Sequence, residues 1–224
     1  MSGIVVFLIL FPFLAKAQTL QVGMSDVAPF AYEEQGQIKG IHYDLFSQLA
    51  KESGLHFEYT IYPHARMVNA MATSSPDLAI FFSVTCLKYK QHYEIQEKLY
   101  TSTPKIYLKD SVDIKKHNLR IGRLRGTCTD LISQYVKPEM LTEVTTMEQA
   151  IEMLKSNRLQ GVCGLVSVID FYKEKAQYSE KLVAYHSNNK PLEAVICRKK
   201  SLPEETKKKL EAAAKKLKKV HLAE

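Results

Sequence analysis

The chain has 224 residues, of which 46% are hydrophobic and 25% charged, a composition typical of a folded globular protein. Its formal net charge is +7, and residues 198–224 alone supply +6 through ten Lys or Arg and four Glu. The rest of the chain is therefore nearly neutral, so the overall charge by itself does not indicate an acidic partner such as nucleic acid.

Residues 1–17 are predicted to be a signal peptide. Ile4–Leu14 is an uncharged apolar run of eleven residues, which is too short to span a bilayer because a membrane helix needs about 20. Ala15-Lys16-Ala17 follows with the small-x-small pattern of a signal-peptidase site. The alternative interpretation of the run is a buried core strand. We expect a periplasmic or secreted protein that begins at Gln18, and export argues against a nucleic-acid partner.

Hydrophobic periodicity predicts alternating strands and helices along the mature chain. Strands are expected over 19–24, 57–62, 78–84, 105–108, 119–124, 143–145, 161–166, 182–186 and 194–198. Helices are expected over 40–53, 66–73, 129–136, 147–156, 167–176 and from Pro203, which takes the favoured first helical position. Gly54 is expected to cap the first helix, and Thr145 with Glu148 forms a capping box before the helix over 147–156.

The order strand–helix–strand–helix–strand occurs twice, which predicts two α/β lobes with mostly parallel sheets. Ligands of such sheets bind beyond the carboxyl ends of the strands. Two lobes that face each other there form a cleft, the usual place for a small-molecule site.

The four cysteines, Cys86, Cys128, Cys163 and Cys197, form no CxxC or metal-spaced cluster, so a structural zinc is not expected. In an oxidising compartment they allow three disulfide connectivities, and their spacing does not choose among them. Buried free thiols are the alternative. The seven histidines are scattered without metal-ligand spacing, and only His64 is expected near the cleft.

A series of motifs runs through nearly the whole mature chain. The segments are Val22–Phe30, Gly36, Gly40–Leu45, Pro76–Ile80, Ser83–Thr85, Leu99-Tyr100, Ile121–Thr129 and Leu192–Lys199. Their order and spacing resemble those of extracytoplasmic solute-binding proteins of the polar amino-acid type, bacterial family 3, with this chain as an atypical member.

The resemblance implies a two-lobed α/β fold of the type II periplasmic-binding-protein class. Lobe one would take residues 19–102 plus 193–224, and lobe two residues 103–192. The implied function is binding of a small polar or anionic solute by lobe closure, without catalysis, cofactor or metal, and delivery by a monomer to an ABC-type importer. Cys86 and Cys197 then fall in lobe one and Cys128 and Cys163 in lobe two. We expect any disulfide to stay within a lobe, because a bond across lobes would oppose closure.

Two departures concern the ligand. Family members that bind α-amino acids have an Arg for the ligand carboxylate, where this chain has Lys88, and a second-lobe Asp for the ligand ammonium. This chain has Leu165, Val166 and Ser167 there. Lys is a point charge and not a bidentate fork. These departures concern the recognition of an α-amino acid and leave the resemblance of fold unchanged.

Nine residues are candidate ligand contacts, five of them in lobe one. Phe30 follows the first turn and is suited to stack on a ligand, or else packs between strand and helix. Arg66 stands at a helix start, where a cation opposes the macrodipole and suggests an anionic ligand group; the alternative is an Arg paired with an acid. Ser83 and Thr85 offer hydroxyls at the cleft edge or cap the next segment. Lys88 is a ligand contact or a solvated side chain.

The other four candidates, Gly126, Thr127, Cys128 and Thr129, form a strand-to-helix turn in lobe two. Free backbone N–H groups and the helix dipole at such a turn suit a carboxylate. We expect this turn and Arg66 to face each other across the cleft and to share an anionic group of the ligand.

Other functions remain open at this point. A sensor or a dehydratase-like enzyme on the same fold is one alternative, although no acid/base pair with evident roles is present. An interaction protein that uses its basic C-terminal helix is another. One face of that helix is apolar, which favours packing on lobe one with the lysines in solvent: Leu210, Ala213, Ala214, Leu217 and Val220.

Overall fold

The computed structural model describes residues 19–110, 112, 119–128, 136–185 and 190–220. The strands are β1 Thr19–Ser25, β2 Tyr32–Glu34, β3 Gln37–Lys39, β4 His56–Tyr62, β5 Leu78–Phe82, β6 Tyr93–Ser102, β7 Lys105–Lys109, β8 Ile121–Leu124, β9 Leu141–Val144, β10 Gly161–Gly164, β11 Leu182–Tyr185 and β12 Leu192–Lys199. The helices are α1 Ile41–Ser53, α2 His64–Ala72, α3 Ser83–Lys88, α4 Met147–Lys155, α5 Val166–Lys175 and α6 Glu204–Ala214, with a 3-10 turn at Pro138–Met140. The expected signal peptide and nearly all of the helix expected over 129–136 lie outside the described residues.

Two five-stranded sheets, each flanked by helices, form two lobes. The first has the order β4-β1-β5-β12-β6 and the second β11-β7-β10-β8-β9. In each sheet four of the five strands run in one direction. The reversed strands are β12 and β7, which are the first strands that the chain forms after it passes from the other sheet. The predicted two-lobed α/β fold with mostly parallel sheets is confirmed.

Helix α1 forms where the sequence predicts it and covers the first sheet. Leu45, Phe46 and Leu49 repeat at helical spacing and are buried in the first core. Gly54 ends the helix in the left-handed conformation at φ 66°, and its N–H donates to the Ala50 carbonyl, as the predicted cap requires.

Helix α6 packs on the same core. Leu210, Ala213 and Ala214 are buried there, which confirms the predicted packing of the C-terminal helix. The helix begins at Glu204, so Pro203 is its N-cap and not its first residue as expected. The buried guanidinium of Arg198 in β12 donates to carboxylates from β6 and from α6.

The capping box of α4 is shifted by one residue from the prediction. Thr146 is the N-cap, and its hydroxyl oxygen accepts the N–H of Gln149 at 3.2 Å. The Gln149 side chain in turn accepts the N–H of Thr145 at 3.0 Å. Gln149 therefore has the role that the sequence assigned to Glu148, because the N-cap is Thr146 and not Thr145.

Helix α3 and strand β6 differ from expectation, and the short strands β2 and β3 were not predicted either. The strand expected over 78–84 ends at Phe82, and Ser83 opens helix α3 instead. The prediction counted Val84 as part of a buried apolar run, but Val84 is 56% exposed. Strand β6 was not predicted, because an edge strand that alternates charged and apolar residues lacks the continuous apolar run of a buried one. Within the described residues, no helix combines the length and the apolar character that a membrane crossing requires.

Candidate functional site

The carboxyl ends of the parallel strands of the first lobe gather three segments: the turn after β1, the start of α2 and the start of α3. His64, the first residue of α2, places its Nδ1 3.2 Å from the Ser25 hydroxyl at the end of β1. The His64 ring also lies 5.9 Å from the ring of Phe81 in β5. Helix α2 therefore starts on the ends of β1 and β5, and the expected position of His64 near this edge agrees with its contacts.

Phe30 is held by its own turn and is 5% exposed. Its ring is nearly parallel to that of Tyr100, with a centroid distance of 5.8 Å and an interplanar angle of 4°. The Phe30 carbonyl accepts the N–H of His42 at 2.7 Å. The His42 Nε2 atom in turn lies 2.6 Å from the Tyr100 hydroxyl. These contacts within lobe one fix the position of the Phe30 ring without a contribution from a ligand.

The two lobes touch along this turn and helix α5. Phe30 and Ala28 belong to the same buried cluster as Met147 of α4 and Ile169 of α5. The Ala28 N–H donates to the Tyr172 hydroxyl at 3.5 Å. Since α4 and α5 begin beyond the carboxyl ends of β9 and β10, the carboxyl edges of both sheets face each other across this contact.

Asp26 and Lys175 add opposite charges beside the lobe contact. Burial raises the pKa of Asp26, the nearby negative charge of Glu33 raises it further, and the charge of Lys175 lowers it. Lys175 itself pairs with Glu148 at 3.0 Å. The carboxylate of Asp26 is thus the acid that the structure places at this edge, and sequence reasoning did not single it out.

Arg66 lies on the first turns of α2 and is exposed. The buried residues Met67 and Met71 lie on the other face of the helix. Among the described residues no acid is within ion-pairing distance of the Arg66 guanidinium. The described residues therefore do not support the alternative interpretation, in which Arg66 forms an ion pair with an acid of lobe one.

Helix α3 carries the next three candidates. Ser83 and Thr85 are half-buried at its start, beyond the carboxyl end of β5 and on the same edge as α2. Lys88 is exposed at the opposite end of the helix, where its Nζ lies 5.6 Å from the centroid of the Tyr89 ring. The structure brings Arg66, Ser83 and Thr85 to one edge, and Lys88 lies further from it.

In the second lobe the turn after β8 is closed on itself. Both the N–H and the hydroxyl of Thr127 donate to the Leu124 carbonyl, at 3.0 and 2.8 Å. In this turn the N–H groups of Gly126 and Cys128 donate to none of the described residues. Thr129 lies outside the described residues. The turn therefore has fewer free N–H groups for an anionic ligand than the sequence predicts.

A disulfide ties that turn to the sheet. Cys128, in the left-handed region at φ 57°, is bonded to Cys163 of β10 with a Cα–Cα distance of 6.3 Å. Both residues belong to the second lobe, so the prediction that disulfides stay within a lobe is confirmed. Cys86 and Cys197 are buried free thiols.

The start of α5 contains no acid in its first turn. Leu165 is the N-cap and has no side-chain capping bond. The hydroxyl of Ser167 is buried without a hydrogen-bond partner among the described residues. The described part of the chain contains no group of three or more His, Cys, Asp or Glu placed to hold a metal ion.

Sequence reasoning missed His42, Tyr100 and Tyr172 as parts of this region. Leu99-Tyr100 was noted as a motif only, and His42 was one of seven scattered histidines. Tyr172 is 144 positions from its partner Ala28, and no local pattern predicts such a contact.

We expect the stability of the protein to fall between pH 7 and pH 5. Burial lowers the pKa of His42 to about 3 and that of His64 to about 4, whereas an unfolded histidine titrates near about 6.5. The unfolded chain therefore binds more protons as the pH falls, and each buried imidazole removes about 2 kcal/mol of unfolding free energy over this range. Urea titrations at both pH values measure the loss.

His42→Gln and Tyr100→Phe form the matched pair for this test. His42→Gln removes the titrating ring, so its pH-dependent loss should be smaller than that of the wild type by about 2 kcal/mol. Tyr100→Phe removes the hydrogen bond and keeps the ring, so its loss should match the wild type. Equal losses in both variants would contradict a buried neutral His42.

Comparison with known proteins gives one family and many similar folds. Residues 20–221 match the family model described as "Bacterial extracellular solute-binding proteins, family 3". A comparison with curated proteins finds no similar sequence.

Three solved structures illustrate the similarity of fold. The arginine-, lysine-, histidine-binding protein ArtJ of Geobacillus stearothermophilus is 20% identical, with 88% of each chain covered and a TM-score of 0.70. The amino acid ABC transporter substrate-binding protein AbpA of Streptococcus pneumoniae, bound to L-arginine, is 19% identical, with 88% of each chain covered and a TM-score of 0.71. The BvgS VFT2 domain of Bordetella pertussis is 14% identical, covers 89% of this chain and 88% of that domain, and has a TM-score of 0.69.

Proposed function

Because the chain belongs to the bacterial extracellular solute-binding proteins of family 3, we propose that it binds a small polar or anionic solute between its lobes in the periplasm or outside the cell. We also propose that it acts as a monomer and delivers the solute to an ABC-type importer; one protein of similar fold is an amino acid ABC transporter substrate-binding protein. The proposed lobes are residues 19–102 plus 193–224 and residues 103–192.

The observation that carries the proposal is the apposition of the two carboxyl edges. The turn of Ala28 and Phe30 meets Met147 and Ile169 of the other lobe in one buried cluster. A solute held at these edges is covered from both sides and is released when the contact opens.

The preference for an anion rests on unpaired donors. Arg66 is an exposed cation without an acid among the described residues, and the N–H groups of Gly126 and Cys128 have no partner there. The start of α5 has no acid to receive a ligand ammonium. The proposed contacts are Phe30, Arg66, Ser83, Thr85, Lys88, Gly126, Thr127, Cys128 and Thr129. The common edge on which Arg66, Ser83 and Thr85 lie supports these three as contacts more than Lys88.

The other functions have less support. The apolar face of α6 is buried in the first core, and its lysines Lys207 and Lys209 pair with Glu204 and Glu205. The apolar face of the helix is therefore already used in packing within lobe one, and this is the arrangement expected of a helix with its lysines in solvent. A sensor would use the same cleft and the same solute chemistry.

We expect Arg66→Ala to weaken binding of the anionic solute at least tenfold. One charge-assisted hydrogen bond contributes about 1.5 to 3 kcal/mol, and about 1.4 kcal/mol is a tenfold change in Kd. Isothermal titration calorimetry of the protein from residue 18, with any carboxylate or phosphate compound that stabilises it, measures the change. The ligand-free melting temperature should be nearly unchanged, because Arg66 is exposed and holds no acid.

Arg158→Ala is the matched control for this test. Arg158 is also exposed and lies in the second lobe between α4 and β10, so its loss should leave the affinity unchanged. If Arg66→Ala retains the wild-type Kd, Arg66 is not part of the site. A large loss of ligand-free stability would instead assign Arg66 a structural role.

A further inference from the structure

Cys86 and Cys197 form a buried pair that the proposed site does not use. Cys86 lies on α3 and is 1% exposed, and Cys197 lies in β12 and is 0% exposed. Both belong to one apolar cluster with Met67, Ala79 and Tyr93. Helix α3 packs directly against β12, and the two thiols lie within hydrogen-bonding reach of each other.

The two thiols interact with each other. The hydrogen bond with Cys197 lowers the pKa of Cys86, and burial of Cys197 raises the pKa of that thiol. Cys197 is therefore the donor and Cys86 the acceptor, so Cys86 is the better nucleophile of the pair.

We propose that Cys86 and Cys197 are a second disulfide site, and that the structure shows this pair in its dithiol form. The geometry is that of two buried, mutually contacting thiols within one lobe. The compartment is that of an extracellular family, and the other cysteine pair of the chain is already bonded. The proposal does not depend on which solute the cleft binds.

The oxidant is a protein or small-molecule disulfide. The Cys86 thiolate attacks one sulfur of that disulfide, which forms a mixed disulfide and expels the other sulfur as a thiolate. Cys197 then loses its proton and attacks the Cys86 sulfur, which expels the second sulfur of the oxidant. Two thiols are oxidised, one disulfide is reduced to two thiols, and the protons pass to the released thiolates.

The exchange takes place during folding or on local opening of α3. That helix has six residues, and Val84 and Leu87 on its outer face are each 56% exposed. Few buried contacts hold the outer half of the helix, so opening it is easier than unfolding the sheet.

The bond has a consequence for the cleft edge. Helix α3 carries Ser83 and Thr85, two of the proposed ligand contacts. A link from Cys86 to β12 fixes this helix on the strand by which the chain returns from the second lobe. The oxidised form therefore presents these hydroxyls from a helix that cannot separate from the sheet.

The test uses the full chain exported to the periplasm of a bacterial host and purified without reductant. The protein is unfolded in denaturant with iodoacetamide, digested and analysed by mass spectrometry. We expect no alkylated cysteine and a peptide that links Cys86 to Cys197. Alkylation of both Cys86 and Cys197, with only Cys128 and Cys163 linked, would overturn the proposal, and so would a link from Cys86 to either cysteine of the second lobe.

A variant with Cys128→Ala and Cys163→Ala isolates the pair. Its melting temperature should fall by roughly 5 to 15 °C when dithiothreitol is added, because the cross-link closes a long loop. Cys86→Ala in that background is the control and should show no effect of dithiothreitol. If dithiothreitol changes the melting temperature of neither variant, the bond between Cys86 and Cys197 is contradicted. If these variants do not fold, the mapping of the wild-type chain still decides.

Discussion

Replacing Cys128 and Cys163 with alanine is expected to lower the free energy of unfolding by about 3 to 4 kcal/mol. The bond joins residues 35 positions apart, so it removes loop-closure entropy from the unfolded chain. Cys163, one of the two bonded residues, is 0% exposed in the second lobe. Urea unfolding of the double variant and the wild type without reductant measures the loss.

The same comparison in dithiothreitol is the control. Both proteins then lack every disulfide, and their difference should shrink to the small cost of removing two sulfur atoms. The contrast between the two buffers isolates the cross-link from the substitutions. A difference below about 1 kcal/mol without reductant would mean that the bond does not constrain the turn.

Gly40→Ala is expected to lower the free energy of unfolding by at least about 3 kcal/mol. Gly40 has φ 115° and ψ 170°, a region that side chains rarely adopt. A Cβ there would lie 2.5 Å from the Phe30 carbonyl oxygen and 2.7 Å from that of Pro29. The variant therefore displaces the turn that carries Phe30, and ligand affinity should fall together with stability.

Gly36→Ala separates backbone strain from this close contact. Gly36 also has a positive φ, of 74°, but nothing lies within 4 Å of the position of its Cβ. Strain alone should cost about 1 to 2 kcal/mol. Chemical denaturation of the two variants in parallel measures the difference. Equal losses would contradict the close approach of Gly40 to the Phe30 carbonyl.

The sequence predicted the helices whose position depends on nearby residues, through the spacing of apolar side chains and through capping residues. The helical spacing of Leu45, Phe46 and Leu49 and the cap at Gly54 gave α1 within a residue of its observed start. The same reasoning placed the α4 box one residue early, because Thr145 and Thr146 are both competent caps. Helix α3 was missed because an apolar run with an exposed Val84 resembles a buried strand.

The candidate site was less predictable, because it is assembled from distant segments. Phe30 was chosen on a motif, but the contacts that fix its ring come from His42 and Tyr100. Spacing could not choose Cys128 and Cys163 from three possible connectivities, and only the lobe assignment restricted the choice. The N–H and hydroxyl of Thr127 are not free to bind a ligand because both donate to the Leu124 carbonyl. Those hydrogen bonds depend on how the turn closes, which the sequence does not show.

The most direct test of solute binding is a thermal-shift screen of the protein from residue 18. The panel should contain organic acids, phosphorylated compounds, polar amino acids including arginine, and small peptides. Binding at 100 times Kd stabilises a protein by about 2.7 kcal/mol, which raises the melting temperature of a chain of this size by roughly 5 to 10 °C. We expect such a rise for at least one compound with a carboxylate or phosphate, and a rise of about half that size or less in Arg66→Ala at the same ligand concentration. Stabilisation by none of the panel, or an equal rise in the wild type and in Arg66→Ala, would contradict binding of an anionic solute by Arg66 between the lobes.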